Sequence, residues 1–102
     1  MSHGIRFASK AEAARYHELL LLARAGEIAD LVLQPRFPLY VYEFGNQAEP
    51  LKIGEYVADF GYIERDGEEV TEDVKGVKTA LYRWKAKHVR AQYGIVIREI
   101  HR

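Results

Sequence analysis

Asp59, Asp73 and Lys75 lie in the stretch VADFGYIERDGEEVTEDVKG, residues 57–76. Paired carboxylates beside an ammonium are the groups from which metal-assisted hydrolytic centres are built. The stretch reads as a β-hairpin turning at Arg65-Asp66-Gly67. In a strand, residues i and i+2 share a face. Ala58, Phe60 and Tyr62 therefore share one face of the first arm, and Asp59, Gly61 and Ile63 the other. On the second arm Val70, Glu72 and Val74 stand together, opposite Thr71, Asp73 and Lys75. A three-residue turn with Gly67 in the left-handed position pairs 64 with 68, 60 with 72 and 59 with 73. The aromatic and valine faces then coincide, and Asp59 meets Asp73 on the other side. A two-residue turn would set Asp59 on the valine face and bury a carboxylate against a core, which is costly. Directly opposed carboxylates repel. A divalent cation would offset that repulsion, since Mg²⁺ takes hard oxygen ligands. Lys75 would offset part of it by ion pairing. The alternative is two solvated acids at a sheet edge. Glu72 points away from Asp73 and is not assigned to the site.

Elements on either side must position this hairpin. Ser9 is a good N-cap, and Glu12 three residues later completes a capping box for a helix over residues 10–25 that stops at Gly26. Residues 31–42, LVLQPRFPLYVY, read as one edge or bent strand carrying two prolines. Residues 43–50 form a loop. The hairpin arms run over 51–64 and 68–75. A second helix spans 79–93 with Thr79 as N-cap and Gly94 as stop. Its buried side is expected to hold Leu81, Trp84, Val89 and Tyr93, with Arg83, Lys87 and Arg90 on another stripe. Residues 95–100 make a last strand. The order αβββαβ implies an α/β fold, a small mixed sheet flanked by helices.

The 102 residues make a single domain, 1–102. Cysteine is absent, which excludes disulfides, thiolate catalysis and Cys-based zinc sites. The longest apolar run, Leu19 to Ala23, is far short of a membrane span, and no apolar leader opens the sequence. A cytoplasmic protein with no membrane partner is expected. His3, His17, His88 and His101 lack metal-ligand spacing. Net charge is zero but segregated: residues 43–73 carry 2 basic and 10 acidic side chains, residues 75–102 carry 8 and 1. A solvated surface accounts for this, and so does a cation site beside a polyanion-binding face.

Asp59 followed by Asp73-Val74-Lys75, with Glu12 on a preceding helix, resembles the PD-(D/E)XK nuclease superfamily. Ser9-Lys10-Ala11-Glu12, Leu33-Gln34-Pro35-Arg36-Phe37, Tyr56-Val57-Ala58-Asp59-Phe60 and Glu72-Asp73-Val74-Lys75-Gly76-Val77-Lys78-Thr79 are similar to a bacteriophage family within it. That family is compared with Holliday-junction resolvases and TnsA-type endonucleases. The likeness runs from about Phe7 to about Glu99. Ala58 stands where the superfamily name has its proline, a position that is often degenerate.

The resemblance implies a restriction-endonuclease-like αβββαβ core and a phage-encoded, metal-dependent DNA endonuclease, structure-specific for branched DNA, in the host cytoplasm. It implies Mg²⁺, with Mn²⁺ substituting, and no organic cofactor. Glu12, Asp59 and Asp73 would be catalytic metal ligands, joined by the carbonyl of Val74. Lys75 would position or activate the attacking water. Lys78, Gln34 and Lys87 are candidates for DNA contact, against the alternatives of a polar edge residue for Gln34 and a solvated helix face for Lys87. Glu12 keeps its rival role in the capping box. Zero net charge argues against strong DNA affinity by a monomer, and the resemblance implies a homodimer. The competing reading is a non-catalytic DNA-binding or assembly subunit that keeps the nuclease fold.

Overall fold

The computed structural model describes residues 7–101; His3 and the other residues before Phe7 lie outside it, as does Arg102. Helix α1 spans Lys10–Arg24, and Ser9 Oγ accepts the Glu12 amide at 3.1 Å as its N-cap. Strands β1 (Ile28–Leu33), β2 (Arg36–Tyr42), β3 (Pro50–Val57), β4 (Phe60–Glu64) and β5 (Glu69–Lys75) follow, then α2 (Ala80–Tyr93) and β6 (Arg98–His101). Thr79 caps α2 through the Tyr82 amide, and Gly94 ends it at φ +72°. No helix among these residues is long and apolar enough to cross a membrane.

The molecule is mixed α/β. A four-stranded sheet has the order β1-β4-β5-β6, antiparallel except for the parallel β5–β6 pair, and β2–β3 form a separate two-stranded ribbon. Two segments expected as single strands are therefore each broken in two. The chain turns at Gln34, which has φ +52°, and Pro35 cannot donate to a ladder. The other break falls at Ala58-Asp59. The two breaks lie side by side, with the Gln34 amide on Asp59 O at 2.9 Å and the Ala58 amide on Pro35 O at 3.0 Å. At that level the chain leaves the main sheet, runs out through the ribbon and returns. Five strands thus lie between the two helices where three were expected, and setting the inserted ribbon aside leaves the order α1-β1-β4-β5-α2-β6.

The β4–β5 register is the expected one: Phe60 pairs with Glu72 and Tyr62 with Val70, and Gly67 closes the turn at φ +92° with its amide on Glu64 O. Two cores result. Tyr16, Leu19, Ile28, Phe60, Tyr62 and Val70 pack between α1 and the four-stranded sheet. Leu39, Tyr56, Ala58, Tyr82 and Val89 pack between α2 and the ribbon. Ala58 thus leaves the Phe60–Tyr62 face expected of it, because the break at 58–59 hands it to the second core.

Of the residues expected on the buried side of α2, Val89 is buried and Leu81, Trp84 and Tyr93 are not. Tyr82 and Val89 are inside, whereas Leu81 and Trp84 are exposed at 64% and 78%, and Tyr93 at 39%. Tyr82 and Val89 face the core that α2 shares with Leu39 and Tyr56 of the ribbon, while Leu81 and Trp84 line the open groove between helix and ribbon beside His88. Polar groups also join α2 to the ribbon: His88 bonds Tyr40 O, Gln92 bonds the Tyr40 amide and Pro38 O, and Tyr93 donates to Pro38 O.

Helix α1 is fixed by a charge. Glu72, fully buried beneath it, accepts Arg15 Nε at 2.6 Å, Arg15 Nη2 at 3.0 Å and Tyr62 Oη at 2.6 Å. Truncating Arg15 would strand a buried carboxylate. Arg15→Ala should lower unfolding stability by roughly 3–5 kcal/mol, read as a shift of the urea midpoint, while Arg15→Met with Glu72→Leu should recover most of it. A loss below about 1 kcal/mol in the single variant would contradict this account of the helix anchor.

Candidate functional site

Asp59 occupies the break before β4, while Asp73 and Lys75 close β5. The register brings the two aspartates together, but their carboxylates do not confront one another. Asp59 Oδ2 accepts the Val74 amide at 2.8 Å, and Asp73 Oδ1 accepts the Asp59 amide at 3.0 Å. Each acid is turned onto the backbone of the opposite strand, where an N–H dipole offsets its charge. Val74 thus enters the site through its amide. Asp73 Oδ2 is buried and has no hydrogen-bond partner; Lys75 Nζ, 3.5 Å away, supplies charge without a hydrogen bond.

Glu12 comes from the first turn of α1. Its amide serves the cap, but its carboxyl turns inward to hydrogen-bond Asp59. The reciprocal half of the capping box is therefore not made. Burial is the main reason that the Glu12 pKa rises to about 7, followed by the shared hydrogen bond and the charges of Asp59 and Asp73, with Lys75 acting the other way. Burial also raises the Asp73 pKa, against the pull of Lys75 and the Asp59 amide. Glu12, Asp59, Asp73 and Lys75 thus lie in one neighbourhood.

The DNA-contact candidates fare differently. Gln34 is exposed beside Asp59, joined to it through the backbone. The Lys78 ammonium is held by Glu99 at 2.7 Å. Lys87 is exposed on α2 near Arg90, and with it lines a groove that reaches Glu99.

Three site residues were not legible in the sequence. Glu99 stands opposite Asp73 because β6 runs parallel beside β5. Tyr82 donates to Glu99 Oε2 at 2.9 Å and lays its ring against Lys75 Nζ, 4.0 Å from the centroid. Glu72, on the reverse face as expected, holds α1 and hence Glu12 in place. The parallel β5–β6 pairing, which an α2 crossover permits, was the one available signal for Glu99.

The donor set is oxygen only and acidic, with Glu12 and Asp73 buried and Asp59 half-buried, and includes one orphaned carboxylate oxygen, which suits a hard divalent cation. Convergence is incomplete. Among the described residues, the group of three acids with one oxygen apiece all within 4.8 Å is Glu64, Asp66 and Glu68 at the hairpin turn. Of these, Asp66 already accepts the Glu68 amide in the turn and Glu64 is paired with Arg98. Glu12, Asp59 and Asp73 would need a side-chain rotation to share one ion.

Residues 1–101 match the family DUF1064, described as a protein of unknown function, and the chain belongs to that family. No curated protein and no solved structure matches the chain.

The raised carboxyl pKa values fix the sign of a pH effect. An acid whose folded pKa lies above its unfolded value favours folding when protonated, so its contribution is complete below the unfolded pKa and lost as pH rises through the folded one. For Glu12 that window runs from 4.5 to about 7. Glu12→Gln should therefore melt close to the native protein at pH 4 and above it at pH 8, by up to about 3 kcal/mol. Equal melting temperatures at pH 8 would contradict the buried, strained acid described here.

Proposed function

We propose that this chain is a divalent-metal-dependent DNA endonuclease with a restriction-endonuclease-like core, structure-specific for branched DNA. The observation that carries the reading is the gathering of Glu12, Asp59, Asp73 and Lys75 where β4 begins and β5 ends, on an α1-β1-β4-β5-α2-β6 frame. The likeness of Asp59 and Asp73-Val74-Lys75 to PD-(D/E)XK nucleases supplies the chemistry.

Glu12, Asp59 and Asp73 would hold Mg²⁺ or Mn²⁺, which when bound would polarise a phosphoryl oxygen and acidify water. Release of the Glu12 proton readies this cluster for a cation, since the shared hydrogen bond with Asp59 needs that proton only while no cation is present. Lys75 presents its ammonium 3.5 Å from Asp73. From there it orients the attacking water and meets the negative charge that develops on the phosphoryl oxygens. Exposed Gln34 and Lys87 are placed to touch the DNA backbone, with Lys78 released from Glu99 when a phosphate competes. A homodimer would align two basic C-terminal regions and supply paired cuts.

One observation favours a second reading, a non-catalytic DNA-binding or assembly subunit: Asp59 and Asp73 each spend an oxygen on backbone amides, and the three acids do not yet share a point. Cleavage decides between the two. A labelled four-way junction, with matched duplex, flap and single strand, is incubated in Mg²⁺, Mn²⁺ or EDTA. The nuclease reading predicts metal-dependent cutting that falls by roughly 10²–10³-fold or more in Asp73→Ala and Lys75→Ala. Intact folding and DNA binding without cutting of any substrate would select the second reading.

A further inference from the structure

The ammonium of Lys75 has two neighbours whose chemistry differs. Asp73 Oδ2 lies 3.5 Å away without a hydrogen bond. The ring of Tyr82 lies beneath it, 4.0 Å to the centroid. The Tyr82 hydroxyl donates to Glu99 Oε2 at 2.9 Å, while Glu99 Oε1 takes Lys78 Nζ at 2.7 Å. A lysine has four rotatable bonds, and one ion pair at 3.5 Å leaves its head mobile. An aromatic face on the far side closes that freedom, because the cation is drawn to the ring quadrupole.

The ring itself is not free to turn. Tyr82 is buried beside Tyr56 and Val89, and its hydroxyl is tethered to a carboxylate on β6. Burial and the Glu99 bond raise the Tyr82 pKa, so the phenol stays a donor. The Lys78 pair leads the causes that lower the Glu99 pKa, so the acceptor stays an anion. The platform thus stands on α2 and β6, elements separate from the hairpin that carries Asp59, Asp73 and Lys75.

We propose that Tyr82, tethered by Glu99, is a positioning residue that holds the Lys75 ammonium over the acidic cluster. This rests on the reading of Lys75 as the site's cation, and it assigns to α2 and β6 a role in the chemistry that neither has through the acids. The ring face closes off the α2 side of the ammonium, whose nitrogen lies 3.5 Å from Asp73 Oδ2.

The test uses the full chain with ¹³C at the lysine ε-carbons, and Lys75→Arg to assign the signal. Held over a ring, the Lys75 ε-protons should resonate upfield of every other lysine. Tyr82→Leu should return them to the common position. Glu99→Ala, which spares the core, should move them part of the way. On whichever substrate the chain cuts, both variants should lose roughly tenfold in kcat with KM within about twofold, and Tyr82→Phe should lie between them and the native protein. A Lys75 signal among the other lysines in the native chain, or unchanged kcat in folded Glu99→Ala and Tyr82→Leu, would overturn the proposal. A shifted Lys75 signal in a native chain that cuts nothing would uphold the positioning role and count against the nuclease reading alone.

Discussion

The bond between Arg15 and Glu72 is the constraint from which the site follows. Glu72 and Asp73 are consecutive residues of β5, so their side chains leave on opposite faces. One face receives α1, and the other opens onto the acidic cluster. Arg15 lies one helical turn beyond Glu12. Two hydrogen bonds from its guanidinium fix the rotation and height of α1 over β5, and the Glu12 carboxyl is thereby delivered to Asp59. A buried ion pair contributes little net stability when both partners must be desolvated. Its geometric effect is larger, because bidentate arginine–carboxylate contact admits few orientations. Tyr62 completes the set, satisfying Glu72 Oε2 from the sheet itself.

A second constraint comes from the breaks at Gln34-Pro35 and Ala58-Asp59. A continuous strand through residue 59 would pair its backbone along the whole edge. Interrupted there, the chain frees Asp59 to accept the Val74 amide, and its own amide reaches Asp73. Opposed aspartates are tolerated by this exchange without any ion. The same arrangement leaves Asp73 Oδ2 buried and unpartnered, and it pushes protonation of Glu12 toward neutral pH. Such tension among acids is what bound charge relieves. The ribbon that grows from the two breaks packs on α2, and α2 returns Tyr82 to the acidic cluster, so insertion and candidate site are parts of one framework.

The hairpin was legible because two independent signals agreed: Gly67 asked for a left-handed turn position, and only one register kept Asp59 off the valine face. Helix ends were legible for the same kind of reason, through Ser9, Thr79 and Gly94. Pro35 marked the first strand break without revealing that it paired with a second at Ala58, since that depends on contacts between segments far apart in the chain. The buried stripe of α2 was misread because Leu81 and Trp84 are the more apolar residues. Tyr82 and Val89 fill the core against Leu39 and Tyr56 of the ribbon instead, a contact between distant segments. Arg15 and Glu72 are 57 residues apart, and nothing local to either residue announces the pair. Glu99 reaches the site only through a parallel strand pairing, which no spacing rule specifies.

The central claim is that the acids gathered by α1, β4 and β5 form a cation site, in preference to the tighter acidic group at the hairpin turn. Mn²⁺ titration followed by the electron paramagnetic resonance of the free ion tests it, with the native chain beside Asp73→Asn and Asp66→Asn. The account predicts saturable binding that survives Asp66→Asn and is lost in Asp73→Asn. Binding that vanishes with Asp66→Asn and persists in Asp73→Asn would contradict it.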